Sequence, residues 1–111
     1  DPFVQRICEM ALLGATMTRK AVEAFLDVKA EKAFEVASMD DQMDAARDQQ
    51  NKELFACQVH NSQEMEQVLN LFYLTKEMER YGDHVTTVCR WIVYMEKGQK
   101  PKLNKPHLKL T

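Results

Sequence analysis

Apolar residues recur at alternating steps of four and three along most of this 111-residue chain. Phe3, Ile7, Met10, Gly14, Met17, Ala21, Ala24 and Val28 keep that rhythm, and so do Val68, Leu71, Thr75, Met78, Gly82, Val85, Cys89 and Ile92. A repeat of about 3.5 residues is the period of helices packed along a seam, and a strand, with its period of two, cannot carry it. Val36, Met39, Met43, Ala46, Gln50, Leu54 and Cys57 form a weaker stripe between the two. The stripes predict three long helices over residues 3–27, 29–58 and 62–97. Glycine and proline number three each, which argues against turn-rich sandwiches and barrels. The expected fold is therefore all-α: an antiparallel three-helix bundle, up-down-up and spectrin-like.

The breaks are short. Asp27 is expected to cap the second helix, although Val28, Lys29 and Ala30 include no helix breaker. Asn61 followed three residues later by Glu64 reads as a variant capping box at the start of the third helix. Gly98 suits the position just past its end, with Pro101 shortly beyond. The domain is expected over residues 1–98, followed by a basic, proline-containing tail over 99–111. A third helix of about 50 Å is long for so small a domain. Its apolar faces call for a neighbour, and a C2 homodimer is the simplest closed form.

Fifteen Lys and Arg against 17 Asp and Glu give a net charge of −2, which speaks against nucleic acid as a partner. Cys8, Cys57 and Cys89 are odd in number and widely spaced, as suits a reducing cytosol better than a disulfide framework. No run approaches the roughly 20 apolar residues of a membrane span, and no secretory signal is visible. The expectation is a cytoplasmic domain with no direct membrane insertion. Opening at Asp1, the sequence reads as a piece of something larger.

Four carboxylates carry the chemical content. Asp40 and Asp44 are four apart on the second helix, and Glu79 and Asp83 are four apart on the third, so each pair shares one helix face. Each acid follows a stripe residue by one position, which puts both pairs on the same angular side. A turn near residue 61 sets residue 42 opposite residue 80, and the centres of the pairs then lie within about 1.5 Å along the axis. Such a cluster admits two readings: a solvated acidic stripe, or an oxygen-rich cation site suited to Fe, Mn or Mg. His60, His84 and His107 form no ligand pair, and no nucleophile with a positioned base is present, so an enzyme is not expected. A di-iron oxidase normally uses Glu-x-x-His motifs, and the chain has none. Trp91 and Tyr94 suit either an interface anchor or a cover for the bundle end.

The stretch from Leu71 to His84, with Met78-Glu79-Arg80-Tyr81-Gly82-Asp83-His84 at its end, resembles the ERIGDHA signature of the PhoU family of phosphate-transport regulators. Val88 to Gln99 is similar to that family's exit from the helix, and Asp40-Asp41-Gln42-Met43-Asp44 to its acidic motif. Met10 to Gly14 and Ala24 to Asp27 fit its first helix, and Tyr81 departs from the usual aliphatic residue. The resemblance implies one three-helix repeat, the C-terminal one, of a protein built from two. It implies a non-enzymatic adaptor between the phosphate ABC transporter and a sensor histidine kinase, peripheral to the inner face of the membrane. It also implies iron or zinc at the acidic motifs. The alternative is the cytoplasmic PhoU-like domain of a sodium–phosphate cotransporter.

Overall fold

A computed structural model describes residues 1–27 and 29–98 and contains three α-helices: α1 (Pro2–Asp27), α2 (Ala30–Phe55) and α3 (Ser62–Lys97). Each helix packs on the other two, as expected for the up-down-up bundle. Among the described residues there is no strand. The stripe residue Val28 and the tail expected over 99–111 lie outside the described residues.

The stripes become the core. Met10, Met17, Ala21 and Ala24 of α1, Val36, Met43 and Leu54 of α2, and Val85, Cys89 and Ile92 of α3 are all buried. Ala30, Ala33 and Ala37 of α2 and Thr86, Arg90 and Val93 of α3 are buried as well. The α3 helix packs on two neighbours at once, so its buried face is wider than one seam. Three of the buried polar side chains are tied back locally or across the bundle. Thr75 and Thr86 donate to the carbonyls of Leu71 and Gly82. Gln50 donates to the carbonyl of Phe3 at 2.9 Å and accepts from Arg6 at 3.0 Å. Burial of Arg90 drives its pKa below the ordinary arginine value.

Two glycines set the helix spacing. A Cβ on Gly14 would lie 2.6 Å from Cε2 of Tyr81, so the ring lies directly on the α1 backbone. The Tyr81 hydroxyl also shares a hydrogen bond with the hydroxyl of Thr18. The bulky residue in the signature thus has a matching notch on α1. On the other side, a Cβ on Gly82 would lie 2.5 Å from Oδ1 of Asp40. Met43 projects between both glycines, its Cε 3.6 Å from the Cβ position of Gly14 and its Cγ 3.4 Å from that of Gly82.

The helix ends follow the sequence at two places and depart from it at two. Asn61 caps α3, its side chain accepting from the Glu64 amide at 2.9 Å. The Glu64 carboxylate reaches back to the amide of His60, one residue before the usual target of a capping box. Gly98 adopts the left-handed conformation, φ 67°, and its amide closes on the carbonyl of Tyr94 at 2.7 Å. The Asp27 cap does not form: Asp27 accepts from Lys32 at 2.7 Å, and Lys29 takes the N-cap position without a side-chain bond. The amide of Ala30 is instead bound by the carboxylate of Glu96 from the far end of α3. The α2 helix also ends at Phe55 rather than 58. The Ala56 amide turns to the carbonyls of Lys52 and Glu53, and the Phe55 ring meets Phe72 at 4.9 Å across the turn.

Candidate metal centre

The antiparallel register of α2 and α3 brings residue 40 level with residue 82, as a turn near residue 61 requires. One carboxylate oxygen from each of Asp40, Asp44 and Asp83 lies within 4.8 Å of the other two. Asp40 is buried, with 1% exposure, while Asp44 and Asp83 are half-buried. Asp40 thus sits in the seam itself rather than beside it. It fits there because Gly82 has no side chain.

Glu79, the fourth acid expected in this group, is not among the three and meets Arg47 instead. Its Oε1 accepts from Arg47 at 2.9 Å. Side chains lean toward the N-terminus of their own helix, and in an antiparallel pair Arg47 and Glu79 therefore lean toward each other. Arg47 also lies 3.9 Å from Oδ1 of Asp44 and 3.0 Å from Oδ1 of Asp48. Burial works against the Arg47 charge. The hydrogen bond to Asp48 and the charges of Asp48, Glu79 and Asp44 outweigh it, so its pKa lies above the ordinary arginine value. Arg47 is the residue that the sequence reading missed, and the lean of the two side chains is the signal that marks it.

The donor set fits a hard cation. Oxygens bound to one ion at about 2.0–2.6 Å are at most about 4–5 Å apart, and the three aspartates meet that limit. Cys89 is close enough to feel the Asp40 charge. Burial first, and that charge second, push its thiol up to about 12, so it offers no thiolate at neutral pH. His84 is exposed on the rim.

Fold and cluster together define a class: an all-helical domain bearing an acidic cluster on one helical hairpin. The PhoU domain profile matches residues 7–92, and the chain belongs to the PhoU family. It is 27% identical over 102 residues to the phosphate-specific transport system accessory protein PhoU homolog of Clostridium acetobutylicum, covering 92% of this chain and 47% of that one. It is 28% identical over 99 residues to PhoU homolog 2 of Thermotoga maritima, covering 89% and 42%. The match to the Pseudomonas aeruginosa homolog is 27% over 82 residues, covering 74% and 34%. The chain spans at most about half the length of these relatives. No solved structure matches it significantly.

Proposed function

We propose that this chain is one repeat of a phosphate-transport accessory protein: a non-catalytic adaptor that binds a cation through Asp40, Asp44 and Asp83. The names of its relatives support the first part, since they are described as phosphate-specific transport system accessory proteins. The carboxylate cluster, with its oxygens within 4.8 Å, supports the second. Iron, manganese or magnesium suits the hard oxygen donors, and zinc is admitted by the family. A bound cation would supply charge neutralisation between α2 and α3, fixing a hairpin that three close carboxylates otherwise push apart. The partners in this reading are the phosphate ABC transporter and a sensor histidine kinase, met at the cytoplasmic face of the membrane. Among the described residues no helix is long and apolar enough to cross one.

The test is thermal melting of the wild type and the double variant Asp44→Asn with Asp83→Asn, with and without Fe(II), Mn(II) or Zn(II). At a hundredfold excess over Kd a cation should stabilise the wild type by about 2.7 kcal/mol. The double variant should lose that response while its metal-free form melts at the same temperature or higher. Identical metal responses in the two proteins would reduce the cluster to a solvated stripe.

Self-association belongs to the same reading. An apolar groove of 280 Å³ runs between α1 and α3, lined by Thr18, Ala21, Val22, Phe25, Val85 and Val88. A dimer should appear in sedimentation equilibrium at micromolar protein, and a clean monomer of 12.9 kDa would count against it. The second reading, a domain of a sodium–phosphate cotransporter, differs in what lies upstream in the gene. Membrane spans there would favour the transporter, and another three-helix repeat the accessory protein.

A further inference from the structure

Arg47 is the cation that the acidic face carries with it. Its guanidinium reaches from α2 to Glu79 on α3 at 2.9 Å while standing 3.9 Å from Asp44, a member of the three-aspartate cluster. Asp44 is therefore shared between the cluster and the arginine. Glu79, one helical turn from Asp83, is held by Arg47 and is not among the three clustered acids. On the solvent side Asp48, with 71% side-chain exposure, accepts from Nε of the same guanidinium at 3.0 Å and lies 3.0 Å from its Nη2. Neither contact involves a member of the cluster. The guanidinium thus has a resting partner that it keeps whether or not it touches Asp44.

We propose that Arg47 is a built-in countercharge that sets the cation affinity of the Asp40, Asp44 and Asp83 cluster, holding Glu79 out of the ligand set and opposing a second positive charge at Asp44. This rests on the cation-binding reading of the cluster. The physics is simple in sign: a fixed positive charge a few ångströms from a dication raises the free energy of binding, and the half-buried setting screens it only partly. Removing the charge should both relieve that repulsion and release a fourth carboxylate. Arg47 acts here as a positioning residue and is not a ligand.

The experiment is Mn(II) titration of the chelator-treated 111-residue chain by calorimetry, with melting of each metal-free protein alongside. Arg47→Gln should tighten Mn(II) binding about tenfold. Adding Glu79→Gln to that variant should remove most of the gain, whereas Glu79→Gln alone, which leaves Arg47 in place, should not tighten binding. Asp48→Asn alters only an exposed carboxylate and takes away the resting partner, so it should weaken binding; it supplies the test if Arg47→Gln fails to fold. A merely structural Arg47 would lower the melting temperature of the metal-free variant and leave the Mn(II) Kd unchanged, which would overturn the proposal while the cluster reading stands. Binding seen only in Arg47→Gln would support it. No Mn(II) binding in any of the proteins would overturn both.

Discussion

Met43→Ala should lower the unfolding free energy by about 3 kcal/mol. Met43 is fully buried and fills the space that Gly14 of α1 and Gly82 of α3 leave between three helices. Neither glycine has a side chain that could swing in, so the cavity left by truncation would collapse poorly, and poorly collapsing sites are the costly ones. For a domain of this size, 3 kcal/mol corresponds to a drop of about 12–24 °C in Tm. Urea unfolding followed by circular dichroism measures it directly, with an unchanged slope as the sign that only stability has moved. Met65→Ala, on the exposed side of α3, is the control and should stay within about 0.5 kcal/mol of the wild type. A loss below 1 kcal/mol for Met43→Ala would mean that the three helices close over the gap and that the two glycine notches do not define their spacing.

Gly82→Ala should destabilise the domain by about 1–2 kcal/mol, against the direction of helix propensity. In an unhindered helix interior the same change would gain about 1 kcal/mol. Here the new methyl would lie 2.5 Å from Oδ1 of Asp40, a side chain with 1% exposure and nowhere to retreat. The Mn(II) response should disappear with the displaced carboxylate. The pairing can be isolated: once Asp40→Ala has removed the clash, the nearest atom to the new methyl is Cγ of Met43, at an ordinary 3.4 Å. Gly82→Ala should then become neutral or stabilising, and the coupling between the two sites should be at least about 1.5 kcal/mol. Additive effects in the cycle would show that Gly82 does not make room for Asp40.

What the sequence made legible was whatever depends on period and register. The stripes through Met17, Met43 and Cys89 gave the buried faces, and the turn at Asn61 gave the register that sets Asp40 level with Gly82. What it hid depends on direction and distance. Spacing puts Glu79 and Asp83 on one face, but a face does not say which way a side chain leans, and Glu79 leans toward Arg47. By spacing Asp40 borders its stripe, and a carboxylate is no ordinary core residue, whereas the absent side chain of Gly82 creates a core position for it. Sequence patterns see only local caps and so point to Asp27 at the start of α2, whereas Asp27 pairs with Lys32 and the Ala30 amide binds Glu96.

The carboxylate that closes the first turn of α2 belongs to Glu96, 66 residues downstream of the amide it binds. A ribosome adding about 5–20 residues per second takes roughly 3–13 s to cover that stretch, an immense interval beside the microseconds in which helices form and fray. Until α3 has been made, α1 and α2 therefore have neither the Glu96 carboxylate nor the Gly82 backbone to pack on. The Ala30 amide then has no Glu96 to bind, and Asp40, 1% exposed in the finished bundle, is not yet covered by α3. The arrival of α3 ends both conditions in one event, supplying Glu96 at one end of the seam and the bare backbone of Gly82 near its middle. Birth order thus makes the last helix the arbiter of the first two, and a chain stalled before residue 96 emerges with its acidic hairpin still in solvent.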